Sequence, residues 1–418
     1  MQIRTILNQI QRHKGFVYGA ERLFDHAGQL TLEVDIRPKK SCRPICSGCD
    51  KAGPGYDTLA PRRFKFVPLW GIAVLFLYAR RRVDCPDCGV KVEKIPWAEG
   101  KNHLTKTYAW FLATWAKRLS WLEVSRAFET TWENVFRSVK MAVEWGLDHR
   151  DLSHIEAIGT DEICWRKTKD KFITLVYQLD AGRRRLLWIG RDRTAKTFRS
   201  FFDWFGPEKC MHLRFICSDM WRPYLRIIAE KAPGAINILD RFHIMSHMGK
   251  AIDEVRAKET KELRAKGKTP LLKGSRWCLL KRPENLTDNQ VDRLVDLLKC
   301  NLKTVRAYLL KEDFQRFWQY TSSSWAGKFL DQWCKRTMRS RLIPMKKVAK
   351  MLRNHRPLLL NWFRAKGQVA LGCVEGFNNK AKVVTKRSYG FRSYEVLKIA
   401  LYHSLGDLPE PESTHRFC

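Results

Sequence analysis

Three acidic residues hold positions of chemical interest in a chain that is otherwise strongly basic. Asp161 ends the strand-like run H-I-E-A-I-G-T-D-E, Asp219 follows L-R-F-I-C-S-D-M-W, and Glu375 opens a helix-like run in G-C-V-E-G-F-N-N-K. Carboxylates converging from strand ends and a helix suit a two-metal phosphoryl-transfer site, because Mg²⁺ takes hard oxygen ligands and keeps positions for water and phosphate. A single Asp after a strand is more often a turn residue, so the expectation rests on the three together. Asp240 and His243, in L-D-R-F-H-I, read either as a helix cap with a core histidine or as a polar pair supporting the same site, at the carboxyl ends of strands where ligands bind.

A second set of ligand-type residues lies near the start of the chain. Cys46-x-x-Cys49 and Cys85-x-x-Cys88 have the knuckle spacing that lets two thiolates from one tight turn grip a tetrahedral Zn²⁺. Gly48, Pro86 and Gly89 supply turn chemistry, and the metal would clamp the strands between the knuckles. Two alternatives stay open: one pair simply buried, or Cys42 replacing a ligand despite its longer spacer.

The chain that positions these groups has 418 residues, 78 Lys and Arg against 43 Asp and Glu, and a formal net charge of +35. Such a surplus favours a polyanionic partner through counterion release and long-range steering; a generically basic protein or one resting on anionic membranes follows the same electrostatics. The N-terminus carries no secretory pattern. The longest apolar run, 66–79, is broken by Pro68 and Gly71, too short to span a bilayer, and reads as two strands around a P-L-W-G turn. Thirteen cysteines without an export signal are expected to be reduced thiols and metal ligands, which places the protein in the cytoplasm.

The pattern along the chain predicts a multidomain α+β protein. A small zinc-binding β module covers 1–98, and a helical helix-turn-helix covers 99–150, with helices over 104–117, from the capping box Ser120-x-x-Glu123 to Phe128, and from Thr130-x-x-Glu133 to Trp145. The last of these would offer Asn134, Arg137, Ser138 and Lys140 to a major groove; an ordinary helical hairpin is the alternative. From 151 to 250, three strands followed by alternating helices and strands predict a mixed sheet with helices on both faces, an order analogous to a ribonuclease H-like core. A helical, Lys/Arg-rich segment over 251–365 comes before the region of Glu375, 366–405. A polar tail, 406–418, is expected to be mobile.

At this point the sequence resembles the ISL-three family of bacterial insertion-sequence transposases over nearly its whole length. The resemblance is carried by P-I-C-S-G-C and R-R-V-D-C-P-D-C-G, by G-T-D-E, C-S-D-M-W-R-P-Y and D-R-F-H-I, and by V-E-G-F-N-N-K-A-K-V-V-T-K-R-S-Y-G-F-R. It implies a DDE transposase with a ribonuclease H-like catalytic domain that moves its own element by Mg²⁺-dependent (or Mn²⁺-dependent) strand cleavage and transfer. Asp161, Asp219 and Glu375 match its three carboxylates, and Asp240 with His243 matches the auxiliary D-x-x-H of related superfamilies. The resemblance also implies that 251–365 is a helical insertion and that 366–405 is the last part of the core.

The expected partners are double-stranded DNA, as transposon ends and target, and further copies of the chain on that DNA, with no membrane. Lys380, Lys382, Lys386 and Arg387 are suited to holding phosphates near Glu375, and Lys346 and Lys347, with Lys350 and Arg353, form a second basic stripe, each also readable as a solvated helix face. Trp325, Trp333 and Trp362 are candidates for stacking on unpaired bases, against a core role. Two competing functions remain: a zinc and helix-turn-helix DNA-binding regulator with an inactive core, and a structure-specific nuclease that cuts without joining.

Overall fold

The computed structural model describes residues 3–26, 28–166, 171–267, 271–366, 368–369, 373–387 and 390–412. They fall into two compact units. One comprises the residues up to Arg150 with Tyr402–Ser404 and those from Leu408 on, the other Asp151–Leu401 with Leu405–Asp407.

The first unit opens with α1 (Ile3–Ile10) and the strands β1 (Phe16–His26), β2 (Gln29–Pro38), β3 (Gly55–Leu69), β4 (Ile72–Cys85) and β5 (Gly89–Val92). They form one mixed sheet in the order β1-β2-β4-β3, with β5 pairing β4 past the stretch of β4 that pairs β2. The expected P-L-W-G turn joins β3 to β4 as an antiparallel hairpin, with Trp70 and Gly71 both at positive φ. Alternate residues Val74, Phe76 and Tyr78 are buried, as a strand with one packed face requires. Phe76 stacks on Phe66 at 4.5 Å and Tyr78 meets Trp97 edge-on at 5.1 Å. Glu93 is buried in the same unit and is tolerated because the Tyr78 hydroxyl and the Arg81 guanidinium both donate to it.

Three helices follow: α2 (Lys106–Ala116), α3 (Trp121–Ala127) and α4 (Trp132–His149). The Ser120–Glu123 capping box opens α3 as expected. The cap of α4 is Thr131 and not Thr130. Glu129 takes φ 45 to close the turn, and Thr130 instead accepts the side-chain amide of Asn134 at 3.1 Å.

The second unit contains β6 (Ala157–Cys164), β7 (Phe172–Asp180), β8 (Arg183–Arg191), α5 (Ala195–Phe205), α6 (Pro207–His212), β9 (Phe215–Ser218), α7 (Arg222–Lys231) and β10 (Ile236–Leu239). Its sheet runs β10-β9-β6-β7-β8. β6, β7 and β8 are antiparallel neighbours, while β9 and β10 run parallel to β6. All four residues of β9 are buried, so this short apolar run is covered on both faces. Phe198, Phe201 and Phe202 of α5 and Tyr224 and Ile227 of α7 form the core over one of them.

Helices then dominate: α8 (Arg241–Ala265), α9 (Arg276–Leu280), α10 (Asp288–Leu298), α11 (Lys303–Gln315), α12 (Ser323–Arg339), α13 (Ile343–Asn354) and α14 (Arg356–Ala365). They share an apolar core that includes Ile252, Phe314, Trp333 and Leu352. α14 returns to the sheet, where Asn361 donates to the carbonyl of Asn237 on β10 at 2.8 Å. The chain continues through α15 (Cys373–Arg387) and α16 (Tyr394–Leu405). α15 reaches β6 at Gly159, where a Cβ would stand 2.5 Å from Val374 and 2.8 Å from Leu179. Among the described residues no helix is long and apolar enough to cross a membrane. The expected mobile tail lies, from residue 413, outside the described residues.

Candidate active site

Sheet register brings the acidic residues to one level. Gly159 of β6 pairs with Cys217 of β9, and Ser218 with Leu239 of β10. Continuing each ladder past its last pair sets Asp161 level with Asp219 and Asp219 level with Asp240. Three aspartates thus stand side by side on three adjacent parallel strands, Asp219 and Asp240 just past the ends of β9 and β10 and Asp161 within β6, which does not end there as expected but stays paired with β7 as far as Cys164.

Each carboxylate has distinct partners. Asp161 accepts the Glu162 amide at 2.7 Å and, on its other oxygen, the side-chain amide of Asn378 from α15. The Asn378 carbonyl oxygen accepts the buried Tyr177 hydroxyl at 3.1 Å, and Phe377 stacks on the Tyr177 ring at 4.7 Å. Asp240 caps α8 by accepting the Phe242 amide at 2.8 Å. His243 then lies one turn along, its Nε2 3.3 Å from Asp161 and 4.0 Å from Asp240. The helix cap read as one alternative of D-x-x-H is therefore present, with the His243 ring beside Asp161. Asp219 accepts the Trp221 amide at 2.8 Å and faces Arg193 at 3.0 Å, and Arg193 also approaches Glu162 at 3.3 Å. Glu375 precedes Asn378 by three residues, the spacing of one helix face, and is exposed at a groove it shares with Asp240.

Ligand atoms of Asp161, Asp240 and His243 all lie within 4.8 Å of one another. Asp219 stands next to this group, tied to Arg193, and Glu375 lines its rim. Crowding and burial shift the ionisations. Burial raises Asp240 to about 6 against the pull of the Phe242 amide, and raises Glu162 to about 7, helped by the negative field of Asp219. Burial lowers His243, but the Asp161 carboxylate outweighs it and lifts the imidazole to about 9. Carboxylates held close at such cost, with hard oxygens facing one another, fit a divalent cation, which would relieve the like-charge repulsion.

The cysteine cluster has a different character. The sulfurs of Cys46, Cys49, Cys85 and Cys88 also lie within 4.8 Å of one another. The first knuckle is held between the paired residues Ile45 and Ala52, the second by the pairing of Cys85 with Gly89 where β4 turns into β5. A Cβ on Gly48 would stand 3.0 Å from the Cys88 sulfur, so the closeness of the knuckles requires glycine there. The Gly48 amide donates to Cys46 at 3.3 Å, and with the Cys49 amide it lowers that thiol to about 7, toward the thiolate a metal binds. Four sulfurs and no open position fit structural Zn²⁺. Cys42 is outside the group, with its thiol directed at the Arg43 carbonyl.

The proposed DNA contacts separate into exposed and hidden residues. On α4, Arg137 and Lys140 are exposed, near Glu133 and Glu144 at 3.9 and 3.6 Å, and Asn134 is half-buried. Ser138 is a correction: it is 2% exposed and donates to the Asn134 carbonyl at 2.7 Å, on the inward face with Val135 and Val139. Lys347 on α13 and Lys380, Lys382, Lys386 and Arg387 on α15 are exposed, and Lys346 is half-buried. Trp333 is core, donating to the Leu310 carbonyl at 2.9 Å, whereas Trp325 is exposed and Trp362 lines the groove of Asp240. Sequence reasoning missed Glu162, Arg193 and Asn378; the first and last lay within G-T-D-E and G-F-N-N-K, but nothing local marks them.

A family model described as "Transposase", of the ISL3-type DDE class, matches residues 158–401. The chain is similar to the transposase for insertion sequence element IS1001 of Bordetella parapertussis, 28% identical over 382 residues covering 90% of this chain and 93% of that protein. It is also similar to the transposase for insertion sequence element IS1557 of Mycobacterium tuberculosis, 27% identical over 409 residues, 91% of this chain and 90% of that one.

Proposed function

The chain belongs to the ISL-three family of DDE transposases, and from that premise we propose that it binds the ends of its own insertion sequence and catalyses metal-dependent DNA strand cleavage and transfer. The observation that carries this reading is the level placement of Asp161, Asp219 and Asp240 on adjacent strands, with α15 delivering Glu375 from the far side of the helical region. We infer that the sheet order, three antiparallel strands followed by two parallel ones, is a ribonuclease H-like core split by that helical insertion. The division into a zinc module, a helix-turn-helix and this core is part of the same proposal.

Asp161, Asp219 and Glu375 are assigned as the catalytic carboxylates, with Asp240 and His243 as auxiliary ligands. Bound Mg²⁺ or Mn²⁺ would supply a lowered pKa for water and neutralisation of charge on the leaving oxygen. The chain's own residues do the rest. Asn378 and the Glu162 amide hold the Asp161 carboxylate in one orientation, Arg193 restrains Asp219 against Glu162, and the His243 imidazolium balances negative charge beside Asp161. Lys380, Lys382, Lys386 and Arg387, exposed on the helix of Glu375, are placed to bind phosphates, with Lys346 and Lys347 on α13 as a further stripe. The reaction read here is in-line attack on a phosphodiester by water at the element's end, then by the released 3′-hydroxyl on target DNA, with no covalent protein nucleophile.

End recognition is assigned to the first unit, with Zn²⁺ held by Cys46, Cys49, Cys85 and Cys88 and α4 presenting Asn134, Arg137 and Lys140. Action at two ends is the reason to expect a homo-oligomer on DNA. The test is incubation of the purified protein with duplexes carrying the terminal inverted repeats, with and without Mg²⁺. Metal-dependent nicking followed by 3′-end joining is expected, lost in Asp161→Ala with end binding retained. Cleavage without joining would make the protein a nuclease, and binding without either a regulator.

A further inference from the structure

The groove that starts at Asp240 and Glu375 extends well past them. It has a volume of about 1180 Å³ and runs between α8 and the helices that follow, with Arg241, Phe242, Trp277 and Arg282 in its wall. Arg241 and Phe242 come directly after Asp240 in sequence, so whatever leaves the carboxylates meets them next. Phe242 and Trp277 are 49% and 55% exposed, and the guanidinium of Arg276, itself paired with Asp253, lies 5.4 Å over the Trp277 ring. Arg241 is held by Gln315 at 3.2 Å and rests on Trp318. Burial and the nearby charge of Arg282 both depress its pKa, and neither arginine has a carboxylate within ion-pair distance among the described residues. Asp253 and Glu254 also line the groove, but Asp253 is already paired with Arg276, and with Lys250 and Lys311 the groove's cations outnumber its carboxylates. Two guanidiniums without an ion-pair partner there attract an oxyanion, and flat exposed aromatics beside them offer stacking faces to bases of any sequence. The volume suits a few unpaired nucleotides.

We propose that this groove holds an unpaired stretch of the DNA strand next to the phosphate being cut, with a phosphate at Arg241 and Arg282 and a base stacked on Trp277. The inference rests on the reading of Asp161 and Asp240 as the phosphoryl-transfer centre. The probe is a fluorescein-labelled oligothymidylate about six nucleotides long, near the lower end of single-strand site sizes, titrated against the full chain without added Mg²⁺, with an unrelated duplex of the same label as control. Trp277→Ala should weaken oligothymidylate binding by about tenfold and Trp277→Phe should restore most of it. Arg282→Ala should lower the salt slope by about one contact, and duplex affinity should stay unchanged in all three.

Unchanged oligothymidylate affinity in Trp277→Ala and Arg282→Ala overturns the proposal, as does equal weakness of Trp277→Phe and Trp277→Ala. So does parallel loss of duplex binding, which would make the groove wall a duplex-binding surface. Cleavage of end duplexes, assayed on the same preparations, separates the two readings. Cleavage by the wild type with variant-insensitive oligothymidylate binding removes the groove and leaves the transposase; variant-sensitive binding without any wild-type cleavage does the reverse.

Discussion

The cysteine cluster and the acidic cluster are both ligand sets grouped within the same 4.8 Å reach, yet they are built on opposite plans. The cysteines come from two knuckles of one sheet, four identical soft donors that face inward and leave no open position. The acidic site draws on β6, β9, β10, α8 and α15, mixes carboxylates with an imidazole, and opens onto a groove. Like ligands from nearby segments close a site and stabilise a fold; unlike ligands from distant segments, kept crowded and partly unneutralised, leave work for a bound cation and substrate.

The largest effect should fall on the closed side. A Cys85→Ser, Cys88→Ser double variant is expected to lose its tightly bound zinc, about one per chain, and with it stabilisation on the order of 10 kcal/mol. Metal analysis and thermal unfolding read both, and retained zinc would remove these cysteines from the site. On the open side, Asp161→Ala, Asp219→Ala and Glu375→Gln should each cut strand cleavage by about a thousandfold or more, on the order of 4 kcal/mol, with little change in unfolding temperature. The structure sets one rivalry inside that group, since Asp240 and not Asp219 is within ligand distance of Asp161 and His243. Near-normal cleavage by Asp219→Ala beside a dead Asp240→Ala would exchange their roles.

A smaller effect tests whether the closed side also recognises DNA. Arg137→Ala should reduce the preference of the full chain for terminal repeats over scrambled duplex by about 1 to 3 kcal/mol; competition titrations at several salt concentrations would show no change if α4 does not read bases. The smallest concerns the strain of the open site. The pKa of Asp240 is raised from 3.8 to about 6, so without divalent cation its contribution to stability is full below about pH 4 and is lost as pH rises through 6. Asp240→Asn keeps the helix cap and should therefore raise stability at pH 8 without added Mg²⁺, on the order of 1 kcal/mol because His243 gives up part of its counter-charge. A lower unfolding temperature than wild type under those conditions would refute the strain argument.

What could be read before folding follows the same contrast. The knuckle spacing is local, and so are the strand runs that carry Asp161 and lead to Asp219, although β6 continues past Asp161 to Cys164. The Ser120 cap was legible for that reason. Asn378, Glu162 and Arg193 were not, because their roles exist only after α15 docks on β6 and the loop after β8 folds toward β9, contacts that leave no periodic trace. Ser138 was legible but overlooked: Val135, Val139 and Val143 mark the inward face at helical spacing, and a small hydroxyl beside them belongs to that face. Trp333 follows the same rule between Leu330 and Cys334.

Gly159 ties the charged chemistry to a contact between apolar side chains. A methyl group there would meet Val374 at 2.5 Å and Leu179 at 2.8 Å and lever α15, with Glu375 and Asn378, away from the strand of Asp161. An insertion-sequence copy carrying Gly159→Ala would keep every carboxylate in its motif and still fall silent. Mobile elements that decay this way would pass inspection as intact genes, their loss of movement visible only in the spacing between a helix and a strand.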